Sequence, residues 1–102
     1  MNTLLTTAEF TAWLRKLKNP LATARIASRL NAARNGNFGV HKSVGEGVME
    51  MKIDTGPGYR LYYAREESTI YILLLGGDKS EQIKDIQRAK TIWKEIQEQR
   101  NG

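Results

Sequence analysis

Residues 56–78 read GPGYRLYYAREESTIYILLLGGD. Tyr59, Leu61 and Tyr63 alternate with Arg60, Tyr62 and Ala64, the two-residue period of a strand. Gly56-Pro57-Gly58 turns the chain into that strand and Glu66-Glu67-Ser68 turns it out again. The run from Thr69 to Leu75 is nearly all apolar, which predicts a central strand covered on both sides. An antiparallel pair of strands thus occupies the middle of the second half of the chain.

The same period extends backwards. Val48, Glu50, Lys52 and Asp54 alternate with Met49, Met51 and Ile53, giving a strand with one charged and one apolar face. Gly45-Glu46-Gly47 precedes it as a turn, and Val40 to Val44 makes a short strand before that turn. Upstream the period becomes helical. Thr6 and Glu9 have capping-box spacing, and Phe10, Trp13, Leu14 and Leu17 form one stripe, predicting a helix from about residue 7 to 18. Asn19-Pro20 stops it and starts a second helix, whose stripe is Ala22, Ile26, Leu30 and Ala33. Beyond the sheet, Asp78 can cap a last helix with the stripe Ile83, Ile86, Ala89, Trp93 and Ile96. Only the final QRNG reads as frayed.

The predicted class is α+β. Two N-terminal helices pack on a three- to four-stranded, mainly antiparallel sheet, a C-terminal helix follows, and all helices lie on one face. At 102 residues the chain makes a single domain spanning 1–102.

Composition narrows the chemistry. The net charge is +5, which favours polyanionic partners. Residues 1–36 carry Arg15, Lys16, Lys18, Arg25, Arg29 and Arg34 against Glu9 alone, so attraction is strongest there. There is no cysteine, hence no disulfide, thiol nucleophile or thiolate metal site. The longest apolar run, Ile70 to Leu75, is far short of a membrane span. No membrane partner is expected, and a cytoplasmic location is. One histidine, His41, excludes a paired-His metal motif, so no metal and no cofactor is expected. The GGDKS at 76–80 lacks Walker spacing, because Asp78 precedes Lys79 and Leu73 stands where a glycine is required. The serines at 28, 43, 68 and 80 have no His-Asp partnership to activate them.

Basic groups at the edges of a sheet remain. RNA is cleaved without metal when its own 2′-OH attacks the adjacent phosphate, so a protein need only orient that hydroxyl, offset the phosphorane charge and help the 5′-oxygen leave. Arg60 can fork two phosphate oxygens, and Lys79 at a helix start can add a second charge. Glu50 or a water can carry the proton. Tyr62, on the same face of its strand as Arg60, can stack on a base. The bland readings are an Arg60 paired with Glu50 or Asp54 across the strands, and solvated lysines elsewhere.

Taken together, GNFG at 36–39, the set Lys42, Val44, Gly45, Gly47, Val48 and Glu50, GPGYRLYY at 56–63 and LLLGGDKSEQ at 73–82 with Asp85-Ile86 and Ala89 closely resemble the HigB-like addiction-module killer proteins of the RelE/ParE toxin superfamily. The resemblance spans about residues 10 to 89. It implies a RelE-like domain and the toxin of a type II toxin-antitoxin pair. It further implies a ribosome-dependent mRNA endonuclease, silenced by a cognate HigA-like antitoxin of helix-turn-helix type, with operator DNA reached only through that antitoxin. By the same resemblance Arg60 is the arginine on the scissile phosphate, Lys79 the basic residue after the last strand, and Lys52 a strand lysine of the nuclease site. Glu50 replaces another such lysine. Lys42, Arg25 and Arg29 join Tyr62 as RNA-binding candidates. The late tyrosine of RelE-type sites has no counterpart, Ile83 standing there. That departure and Glu50 point to the alternative of a ParE-like protein that blocks DNA gyrase without catalysis. A nucleic-acid-binding module without toxicity is the third reading.

Overall fold

The computed structural model describes residues 1–101. Nine elements run in order: β1 (Thr3–Thr6), α1 (Ala8–Lys16), α2 (Pro20–Arg34), β2 (His41–Gly45), β3 (Val48–Ile53), β4 (Tyr59–Glu67), β5 (Ile70–Asp78), a 3₁₀ turn (Lys79–Glu81) and α3 (Gln82–Asn101). The strands form one five-stranded mixed sheet in the order β1-β5-β4-β3-β2. The α+β class stands.

The sheet has one strand more than expected. β1 pairs with β5 in parallel, Thr3 opposite Ile70 and Thr6 opposite Leu73, which makes β5 an interior strand beside β4 and β3. Four residues are too few to display an alternation in the sequence, and the partner lies in the second half of the chain. Asn2 fixes the entry: its backbone N–H donates to Arg34 O at 2.7 Å and its Nδ2 to Ala33 O at 3.0 Å. Strands β4 and β5 also run further than their sequence suggested. β4 continues to Glu67 and β5 to Asp78, so Gly76 and Gly77 belong to a strand rather than to a loop.

The expectation that all helices share one face is corrected. β4 and β5 are apolar on both sides, and each face has its own core. On one face, Phe10 of α1 and Ala22, Ile26, Leu30 and Ala33 of α2 pack on Met51, Ile53, Tyr59, Leu61, Tyr63 and Leu73. On the other, Ala89, Ile92 and Trp93 of α3 cover Val48, Tyr62, Ala64, Ile72, Leu74 and Leu75. Each large side chain so buried is worth about 1.5–3 kcal/mol of transfer free energy.

Local signals explain the helix bounds. Thr7, one residue later than expected, caps α1 by accepting from Phe10 N at 3.0 Å, while its hydroxyl donates to Leu74 O at 2.8 Å. Glu9 pairs instead with Arg88, tying α1 to α3. Asn19 Oδ1 accepts from Ala22 N at 3.1 Å and Pro20 takes the first turn of α2, as its sequence predicts. Asp78 caps the 3₁₀ turn rather than α3 itself. Ile83, expected in the apolar stripe, sits inside α3 about 100° round from the line of Gln82, Ala89 and Trp93, and is 83 % exposed. α3 is helical through Gln99, Arg100 and Asn101, and Arg100 Nη2 lies 2.5 Å from Glu66 Oε2. Only Gly102 of the supposedly frayed end lies outside the described residues. Among the described residues no helix is long and apolar enough to cross a membrane.

Candidate functional site

Strand register sorts the polar residues. Lys42 of β2 lies opposite Glu50 of β3, Glu50 opposite Tyr62 of β4, and Tyr62 opposite Leu75 of β5; one step along, Lys52, Arg60 and Gly77 form the next row. Directly paired residues of antiparallel strands share a face. That face is the one under α3. Towards the middle of the helix it is apolar, but near the helix start it carries Glu50, Arg60, Lys42 and Lys52.

The helix supplies matching residues. At 100° per residue, Gln82 and Asp85 fall in phase with Ala89, Trp93 and Ile96, so the polar start of α3 faces the sheet instead of solvent. Gln82 Nε2 donates to Glu50 Oε2 at 3.0 Å. Asp85 sits over Gly77, where a Cβ would run into its carboxylate, and on the opposite face a Cβ on Gly76 would run into the Trp13 ring. The two glycines therefore let α1 and α3 approach β5 from opposite sides.

Arg60 is almost enclosed at 8 % exposure and Glu50 at 4 %. Arg60 Nε lies 3.9 Å from Glu50 Oε2, an ion pair without a direct hydrogen bond. Nη1 donates to Gly58 O at 3.1 Å. Lys42, whose side chain is 65 % exposed, brings Nζ to 4.0 Å from Glu50 Oε1. Gly58 has φ of 80°, and a Cβ there would lie 3.4 Å from Arg60 Nη1 and 3.9 Å from Lys79 Cβ. The GPG turn thus separates Arg60 from the base of Lys79 by little more than its own backbone. Lys79 and Lys52 are exposed.

Burial raises the Tyr62 phenol above its usual range, and the Glu50 and Asp85 carboxylates push it further, against a smaller opposing effect of Arg60. Its buried hydroxyl lies beside the Glu50 carboxylate but outside good hydrogen-bond geometry. Tyr62 has no exposed surface, which corrects the expectation that it stacks on a base: α3 covers it. Burial also raises Asp85, helped by Glu81 and Asp78 and opposed by Lys84. Asp85 and Gln82 were not recognised as functional from the sequence, although their helical phase with Ala89 was the available signal.

Other candidates lie apart. Arg25 is exposed on α2. Arg29 Nη2 donates to Asn37 O at 3.0 Å, holding the α2–β2 loop. His41 is exposed, with Nδ1 2.8 Å from Gly39 O, so that nitrogen carries the proton. Among the described residues no group of three His, Cys, Asp or Glu is placed to hold a metal ion.

The cluster can therefore position an anion. Arg60 is held by Glu50 and Gly58, Lys52 is its cross-strand neighbour and Lys79 begins just beyond Gly58, and the partly enclosed carboxyl group of Asp85 stands at the helix start. Compared with known proteins, the chain is 48 % identical over 91 residues to a protein of Haemophilus influenzae that bears the name Uncharacterized protein, an alignment covering 89 % of this chain and 92 % of the relative. No family model matches the chain. No solved structure gives a significant match.

Proposed function

The chain belongs to the same family as that Haemophilus influenzae protein, and we propose that it is the toxin of a type II toxin-antitoxin pair with a RelE-like arrangement, cutting messenger RNA on the ribosome. The observation that carries this reading is Arg60, nearly buried and fixed by Glu50 and Gly58, with Lys42, Lys52 and Lys79 exposed around it. A preorganised guanidinium is what a transferring phosphoryl group requires, because it offsets charge without reorganising at the moment of reaction.

In the reaction the 2′-oxygen of the RNA bonds to the adjacent phosphorus and the bond from phosphorus to the 5′-oxygen breaks. The products are a 2′,3′-cyclic phosphate and a 5′-hydroxyl. Arg60 and Lys79 offset the charge of the phosphorane, and Lys52 and Lys42 hold the flanking backbone. Glu50, enclosed beneath Gln82, acts as a positioning residue for Arg60; the 2′-proton passes to water, and the departing 5′-oxygen takes a proton from water to become the 5′-hydroxyl. An antitoxin of helix-turn-helix type silences the protein by covering this basic end.

Glu50 also favours a second reading. A carboxylate beside Arg60 opposes a further anion there, which suits a ParE-like protein that binds gyrase without catalysis. Mapping 5′ ends of messages after brief induction separates the two. Cuts that vanish in Arg60→Ala and in translation-blocked cells support the nuclease. Growth arrest with intact messages refutes it.

A further inference from the structure

A second basic feature lies around the free end of β3. A cavity of about 350 Å³ opens there, lined by Arg25, Ser28 and Arg29 from α2 and by Lys52, Asp54 and Thr55 from the strand and the turn after it. Its volume is at the small end of the range in which ligand sites fall, roughly 300–1,000 Å³. Three cations and one carboxylate line it. Arg25 and Arg29 stand four residues apart on the helix, a like-charge spacing that costs helix stability unless something offsets it.

Two polar atoms of this lining are buried and have no hydrogen-bond partner, Arg29 Nε and Thr55 Oγ1. The rest of the Arg29 guanidinium is fixed, Nη2 by Asn37 O at 3.0 Å and the whole group by its seat over Gly39, whose φ is 64° and where a Cβ would meet it. A buried donor without an acceptor is costly. Both unpartnered atoms can donate, as can Ser28, Arg25 and Lys52, so an anion with several oxygens answers this lining better than a neutral or cationic group would. Lys52 is also the cross-strand neighbour of Arg60, and so belongs to both features.

We infer that this cavity holds a phosphate of a polynucleotide strand whose chain passes on, by way of Lys52, to Arg60. The inference rests on the reading above for what happens at Arg60, but not for the phosphate chemistry of the cavity itself.

The test uses a short single-stranded 2′-O-methyl RNA, which offers phosphates but cannot be cut, alongside a nucleoside monophosphate and inorganic phosphate. Amide shifts and fluorescence anisotropy are followed for wild type, Arg25→Ala, Thr55→Val and Arg60→Ala. The strand should perturb the amides of Ser28, Arg29 and Thr55. Arg25→Ala should weaken its binding about 3- to 10-fold and reduce the slope of log affinity against log salt by about 0.7. Thr55→Val, which removes an unpartnered hydroxyl, should weaken binding while melting no earlier than wild type. Perturbations confined to the surroundings of Arg60 and Lys79 would overturn the inference. So would binding of the monophosphate at the cavity with none by the strand, which would point to a free nucleotide. If the strand binds at the cavity in wild type and in Arg60→Ala while messages in cells stay intact, the nuclease reading fails and the cavity stands.

Discussion

Replacing Glu50 by glutamine keeps the shape of the side chain and removes its charge. Three contacts change. The Arg60 guanidinium, 3.9 Å away and 8 % exposed, is left without its counter-charge. The bond from Gln82 at 3.0 Å becomes neutral, a loss of about 1 kcal/mol. The Lys42 contact at 4.0 Å involves a side chain that is 65 % exposed and counts for well under 1 kcal/mol. Removing one member of a buried pair costs about 3–5 kcal/mol when the pair is tightly hydrogen-bonded. Arg60 and Glu50 make no direct hydrogen bond, so the whole substitution should cost about 2–3 kcal/mol. For a domain of this size each kcal/mol lowers Tm by about 4–8 °C, which places the melt of Glu50→Gln about 10–20 °C below wild type. Circular dichroism at low ionic strength reads it directly. Inorganic phosphate should raise the Tm of the variant more than that of wild type, because the carboxylate no longer competes for Arg60. The double variant Glu50→Gln/Arg60→Met should recover much of the loss, since no unpaired charge then stays enclosed. A single variant melting within about 2 °C of wild type, or a double variant no more stable than the single, would refute the assignment of Glu50 as the anchor of Arg60.

Other perturbations probe the same end of α3. Gly77→Ala sets a methyl group against the Asp85 carboxylate and should cost about 1–3 kcal/mol; adding Asp85→Ala should remove most of that cost in a denaturant titration. Asp85 is raised by burial, so the folded state binds its proton more tightly than the unfolded chain, and stability falls as pH rises from the ordinary aspartate range through the raised value. Asp85→Asn should therefore be more stable than wild type at neutral pH, the difference closing below about pH 4; a difference that stays constant with pH would show that the carboxylate is not the cause. Tyr62→Phe removes a buried hydroxyl that has no partner and should leave Tm unchanged or raise it. A marked loss of stability on chemical denaturation would mean that the hydroxyl is bonded after all.

The helices and the interior strands were legible because each has a period long enough to read. The stripe Ala22, Ile26, Leu30 and Ala33 is buried as its spacing requires, and Thr69 to Leu75 behaves as a doubly covered strand because apolar residues fill both of its faces. β1 was hidden, since four residues carry no period and its partner comes from the far end of the chain. The division of the helices between two faces could have been inferred from Tyr62 and Ala64, which are as apolar as the residues they alternate with. Ile83 misled because it is apolar and three residues before Ile86, although at about 100° per residue it lies well off the line of Gln82, Ala89 and Trp93. At the site, the alternation of the strands left Glu50 and Asp54 both open as neighbours of Arg60, and the register with Lys52 opposite Arg60 brings Glu50 to it. Burial was not legible: the lid formed by Gln82 and Asp85 depends on where the helix crosses the sheet, and only the structure gives that.

The pairing of β1 with β5 also sets an order of events in folding. Thr3 must find Ile70 across most of the chain, a closure whose entropic cost is met only after β5 has its antiparallel neighbour β4. The hairpin of β4 and β5, linked by a two-residue turn, can form locally and early, whereas β1 must wait for it. Thr7, which joins α1 to β5 through Leu73 and Leu74, waits with β1. A nascent chain thus lacks strand β1 and the anchor of helix α1 until β5 has emerged, and synthesis halted before residue 70 would release a chain without the strand that carries both helix α1 and the floor beneath Asp85.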